Sequence, residues 1–209
     1  MRNGSPSVGI IQEVRIAIVL GVLVAALAIS VGLLFARGDG GGDFRGSQAP
    51  EGFTLPDFAL RDYQGRTVRS SDLEGMALAV TFLDTACTAS CPVIAAQMAQ
   101  AVNTLGGDRR GVEAVAISVD PVRDTPRSIQ RFLHRYRATG NLRYLHGSAA
   151  ELRPVWKAFS VLSAQETGSP NMHSAPIRIY DRDGRWRSTL SAGVDLTPAN
   201  LAHDLREAS

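Results

Sequence analysis

Residues 16–35 form an unbroken apolar run, IAIVLGVLVAALAISVGLLF. A helix of about 20 residues rising roughly 1.5 Å each spans the roughly 30 Å hydrocarbon core of a bilayer, so the run predicts a transmembrane helix. A cleaved signal peptide has a shorter apolar stretch of about 7 to 15 residues and a small-residue cleavage site. Here Phe35, Ala36 and Arg37 follow directly, which favours a retained anchor. No cysteine follows the run, which excludes a lipoprotein. Residues 38–50 (GDGGGDFRGSQAP) are Gly-rich and cannot bury a core, the pattern of a flexible tether. The predicted organisation is a short cytoplasmic N-terminus over 1–15, a span over 16–35, a linker over 36–52 and one domain over 53–209.

Beyond the linker the period changes. Residues 53–60 and 67–68 flank the turn 62–65, which predicts an opening hairpin followed by a short segment 70–75. Residues 76–83 (MALAVTFL) and 112–119 (VEAVAISV) are continuously apolar, as strands covered on both faces are. Between them, Val93, Ile94, Met98, Val102 and Leu105 recur near helical spacing over 92–105. Thr125 before Pro126 caps a predicted helix reaching about Arg137, with Ile129, Phe132 and Leu133 on one side. A short strand at 142–145 leads into a helix over 149–159. Residues 177–180 and 186–190 pair across Asp183-Gly184, a type I′ hairpin signal, and Thr197-Pro198 opens a last helix. This order, a hairpin, βαβα and then ββα, predicts an α/β fold: a mixed sheet flanked by helices, whose first parallel crossover carries the cysteines at its start.

Charge narrows the partners. Lys and Arg number 22 against 20 Asp and Glu in a chain of 209 residues, with none of the basic footprint of a nucleic-acid binder. Arg2, Arg15 and the free amine precede the apolar run while Arg37 and Arg45 follow it, a slight positive-inside bias. A span so near the N-terminus, with everything globular behind it, predicts a single-pass protein of the cell membrane with its domain on the extracytoplasmic side, where a disulfide can persist.

The two cysteines, Cys87 and Cys91, stand four positions apart in a turn-like setting, DTACTASCP, where an apolar strand gives way to a helix. Two small core residues would be the bland reading, since free cysteine is often buried. A close pair in a chain otherwise without thiols points instead to redox or metal chemistry. Pro92 suits the first helical position, which makes Cys91 the predicted N-cap. A thiolate there would face unpaired N–H groups and the positive end of the helix dipole, so the sequence predicts a lowered pKa and a pair reactive at neutral pH. Such spacing lets the sulfurs reach the roughly 2.05 Å of a disulfide or converge on one ion at about 2.3 Å each. Zinc prefers four ligands, whereas Cu(I) accepts two sulfurs and an imidazole. His134 and His203 lie in predicted helices and read as surface or satisfied residues, while His146 follows a strand. His173 lies in the loop 169–176, just before the strand expected beside the cysteine-bearing one, and local reasoning leaves its role open.

Three segments together resemble the Sco/SenC family of membrane-anchored extracytoplasmic copper proteins. Cys87-x-x-x-Cys91-Pro92 resembles its metal-binding motif, the run Ser118 to Pro126 (SVDPVRDTP) its second signature, and His173-Ser174, eight residues before Asp181, its histidine element. The resemblance implies a thioredoxin-like fold and copper held by Cys87, Cys91 and His173. It also implies delivery of that copper to a cytochrome c oxidase copper subunit. Asp120 and Asp124 carry over only as members of the signature, and Asp124 reads as a turn or helix-start residue. Thr88 stands where the family has Pro, and Met172 where it has an acidic residue. The alternative is a thiol-disulfide oxidoreductase using Cys87 and Cys91 on another extracytoplasmic thiol protein, which leaves open whether the chain is an enzyme. A thiol peroxidase would need Thr-x-x-Cys, and Thr85 is one residue too close to Cys87. Ala175-Pro176 is a candidate cis bond, as thioredoxin-like domains often have near the site.

Overall fold

The computed structural model describes residues 20–23, 43–162 and 175–209. The chain divides into two units, Met1–Gly41 and Gly42–Ser209. In the first, residues 20–23 are helical, with Leu20, Val22 and Leu23 exposed. The rest of the predicted span lies outside the described residues, among which no helix is long and apolar enough to cross a membrane.

The second unit contains β1 (Ser47–Gln48), β2 (Ala59–Asp62), β3 (Thr67–Arg69), β4 (Ala77–Leu83), α1 (Ser90–Thr104), β5 (Val112–Ser118), α2 (Pro126–Arg135), β6 (Arg143–His146), α3 (Ala149–Ala158), β7 (Ile177–Tyr180), β8 (Trp186–Leu190) and α4 (Pro198–Glu207). The strands form one mixed sheet in the order β1-β8-β7-β4-β5-β6-β2-β3. At its centre, β4 runs parallel to β5 and antiparallel to β7.

All seven residues of β4 are buried because helices cover both of its faces. Side chains alternate across a strand, so Ala77 and Ala79 meet α1, α2 and α4 through Ile94, Met98, Ile129 and Leu201. Leu78, Val80 and Phe82 meet α3 on the other face through Leu152, Val155 and Trp156. Each of the last three helices starts where a side chain satisfies a free N–H: Thr125 accepts from Ser128 at 3.2 Å, Ser148 from Glu151 at 3.3 Å and Thr197 from Asn200 at 3.1 Å.

Four sequence expectations change. The linker ends well before residue 52, because β1 pairs with β8 and the buried Asp204 carboxylate accepts the N–H groups of Arg45 at 2.7 Å and Gly46 at 3.1 Å. Gly46 is required there: a Cβ would stand 2.6 Å from the Thr189 carbonyl oxygen. The β7–β8 connection is not a type I′ turn, which needs positive φ at both central residues; only Gly184 has it, at 73°. Asp181 dictates this shape by accepting from the N–H groups of Asp183 at 3.0 Å and Arg185 at 2.9 Å. The Ala175-Pro176 bond is trans, the form an X-Pro amide still prefers by about 0.5–1 kcal/mol. Finally, α1 begins at Ser90, two residues earlier than its proline suggested.

Candidate functional site

The cysteines lie at the C-terminal end of β4, the edge where open α/β sheets place their sites. The chain leaves β4 through Asp84 and turns tightly, with the Cys87 N–H donating to the Asp84 carbonyl at 3.2 Å. Cys91 is the second residue of α1, and Ala89, which offers no side-chain bond, is the N-cap. The expectation of a capping Cys91 is therefore corrected.

The two side chains are hydrogen-bonded to each other, and neither is in a disulfide. Both belong to the apolar cluster beneath α1, with Cys87 3% and Cys91 0% exposed. The expected lowering of the Cys91 pKa is reversed. Burial pushes its thiol well above the ordinary range, against the Asp84 main-chain N–H that favours the thiolate, and the neighbouring Cys87 and Asp84 side chains push the same way as burial. The helix-terminus argument failed because the sulfur points into the core, where desolvation of an anion outweighs a partial dipole charge.

Behind the turn stands a polar network that sequence reasoning did not assemble. Asp84, itself fully buried, accepts the Ala86 N–H at 2.7 Å on one carboxylate oxygen and Arg123 Nη2 at 3.2 Å on the other. Arg123 also donates through Nε to Asp120 at 2.5 Å, and Asp120 further accepts the N–H groups of Val122 and Arg123. Burial pushes the Asp120 carboxyl up, but the Arg123 and Val122 bonds hold it below its ordinary value. Asp124 closes the turn before α2, its N–H donating to the Asp120 carbonyl at 3.0 Å, and its side chain does more. Its buried carboxylate accepts the Thr85 N–H at 2.9 Å, the Ser118 hydroxyl at 2.6 Å and the Tyr144 hydroxyl at 2.8 Å. Burial raises Asp124 to about 6 despite these bonds. Trp156 seals the end of β5 by donating to the Ser118 carbonyl at 2.8 Å. The second signature thus braces the cysteine turn from behind. A charged residue directly after seven buried ones was the available signal for Asp84.

His134 and His203 lie in helices as the residues predicted, and His146 is the last residue of β6. His203 bonds the Asp43 carbonyl at 2.6 Å, His134 is exposed, and burial holds His146 below its ordinary value. His173 lies outside the described residues. Among the described residues no group of three or more His, Cys, Asp or Glu side chains is arranged to hold a metal ion, so the cysteine pair there supplies two donors and no third.

A family model described as SCO1/SenC matches residues 47–209. An SCO2-like protein of Rickettsia conorii is 28% identical over 156 residues, covering 72% of this chain and 74% of that one. An SCO1 protein homolog of Bacillus subtilis is 25% identical over 165 residues, covering 77% and 85%. Among solved structures, Bradyrhizobium japonicum ScoI with copper bound is 29% identical with a TM-score of 0.64, covering 75% of this chain and all of that one. BsSco, described as a member of the Sco family of cytochrome c oxidase assembly proteins and as having a disulfide switch, shares the fold at 24% identity and a TM-score of 0.64, covering 77% and 96%. The mixed sheet with its flanking helices matches these thioredoxin-like structures, and the chain belongs to the SCO1/SenC family.

Proposed function

We propose that this protein is a membrane-anchored metallochaperone that carries copper on the extracytoplasmic side and delivers it to a copper subunit of cytochrome c oxidase. The observation that carries the reading is the pair of reduced thiols of Cys87 and Cys91 in mutual contact at the end of β4, on the fold of a relative that binds copper. Two soft sulfurs fit Cu(I), which takes two thiolates and an imidazole, better than zinc.

His173 is the proposed third ligand. The pairing of Val80 with Arg178, continued by two residues, sets position 176 opposite Phe82, next to the end of β4. His173 is three residues further back along the chain, a reach of at most about 10 Å. The exposed apolar side chains of the helical residues 20–23 support a membrane anchor over 16–35.

The burial of Cys91 disfavours its free thiolate and so slows thiol exchange. Binding copper would expel the protons from both sulfurs, and a Cys87–Cys91 disulfide would be the form that cannot bind. Copper titration of the reduced full chain tests this. One equivalent of Cu(I) should bind, and Cys87→Ser should abolish it. His173→Ala should weaken binding at least about tenfold, in the range of metal-site ligand losses; equal affinity in that variant would rule out the three-ligand site.

A further inference from the structure

Asp84 touches both cysteines through its peptide groups. Its carbonyl accepts the Cys87 N–H at 3.2 Å, and its N–H is directed at the Cys91 sulfur. Its side chain, 0% exposed, is joined 39 residues away to Arg123 at 3.2 Å. Arg123 is fixed in turn by Asp120 at 2.5 Å, while 43% of its side chain still reaches solvent.

We infer that Asp84 and Arg123 form a positioning pair for the dithiol, in which the second signature holds the peptide that orients both sulfurs for a soft metal ion. The copper part of this inference rests on the function proposed above. The physical argument concerns freedom. The six residues between β4 and α1 could hold Cys87 against Cys91 in many arrangements. They are limited to one because the residue bonded to both is itself locked by an ion pair to a separate loop. Arg suits the role because one planar fork can bond Asp84 through Nη2 and Asp120 through Nε together, which the point charge of Lys cannot do. Removing the guanidinium would leave Asp84 as an uncompensated buried carboxylate, and the turn would have to shift to bring it to water. The bonds that hold the cysteine turn come from the Asp84 peptide groups, so the pair acts by placement.

The test uses the full chain in detergent micelles and two separate readouts. The first is Cu(I) affinity by competition with a chromogenic Cu(I) chelator. The second is the dithiol-disulfide equilibrium in glutathione buffers, where Cys87 and Cys91 lose two protons and two electrons and glutathione disulfide takes them up as two thiols. Arg123→Met should lower Cu(I) affinity at least tenfold. It should also shift the thiol-disulfide constant toward the disulfide by a similar factor, about 30 mV for this two-electron couple. Arg123→Lys, which keeps the charge, should recover part of both effects, and it serves as the test variant should Arg123→Met fail to fold. Adding Asp84→Asn to Arg123→Met should cause less further loss than Asp84→Asn causes alone, since the two act as one unit. A folded Arg123→Met protein with parental affinity and parental potential would overturn the inference, as would strictly additive losses. A parent chain that binds no Cu(I) would overturn the copper reading instead, and the glutathione equilibrium would then decide the pair.

Discussion

Asp62 at the end of β2 and Asp124 behind the cysteine turn each expose only 2% of their surface, yet Asp62 lies just beneath the protein surface and Asp124 deep inside it, and their carboxyl groups respond in opposite directions. Burial pushes Asp62 up, but Arg66 bonds it through main-chain N–H at 3.0 Å and Nε at 2.8 Å, Gln64 adds an N–H at 2.9 Å, and the sum falls below the ordinary value. Deeper burial raises Asp124 to about 6, and the Ser118, Thr85 and Tyr144 donors, all neutral, offset only part of it. Neutral donors fill the lone pairs of a carboxylate without compensating its charge, whereas a guanidinium does both. Arg123 lies close by, but its hydrogen bonds go to Asp84 and Asp120.

Truncation should separate the two sites most. Asp124→Ala strands a main-chain N–H and two hydroxyls inside the core and should cost about 3–4 kcal/mol. Asp62→Ala frees the N–H groups of exposed residues, which can turn to water, and should cost about 1 kcal/mol. Thermal unfolding at pH 7 checks the contrast, and equal losses would break it.

The pH response should differ in sign. Asp124 has a folded pKa above its unfolded one, so its stabilising contribution is complete below about pH 4 and disappears as pH rises through about 6. Asp62 has a lowered folded pKa, so its contribution is present above about pH 4 and is lost as pH falls through the folded value. Relative to the parent, Asp124→Asn should therefore gain about 2–3 kcal/mol between pH 4 and pH 7. Asp62→Asn should lose ground over the lower part of that interval. Melting curves from pH 3.5 to 7.5 give the answer, and a flat difference for Asp124→Asn would refute the assignment. A modest effect is expected for Tyr144→Phe, which removes one of three donors and should cost about 1–2 kcal/mol at neutral pH. It should also raise the pH at which the Asp124 contribution is lost.

The frame of the fold was readable because its signals are local. Thr125-Pro126 and Thr197-Pro198 announce helix starts within two residues, and the apolar runs of β4 and β5 mark strands covered on both faces. The placing of β7 against β4 followed from the order of elements. The cysteines were found as a pair, but their burial was not, because whether a sulfur faces the core depends on where α1 begins, and Pro92 pointed to the wrong residue. The Asp84–Arg123 and Asp124–Thr85 links each join residues 39 apart, and no periodicity records such a pairing. Likewise β1 is two residues long, too short to show alternation, so its Gly-rich surroundings read as tether.

The Asp204 clasp on Arg45 and Gly46 has a mechanical corollary. Tension applied to the chain ahead of Asp43 would be borne first by the His203 bond to the Asp43 carbonyl, then by the Asp204 carboxylate, by the Ser188 hydroxyl bonded to it at 2.6 Å and by the β1–β8 ladder. Strand β7 separates that ladder from β4. A pull from that side would peel the rim of the sheet before it reached the strand that leads into the cysteine turn.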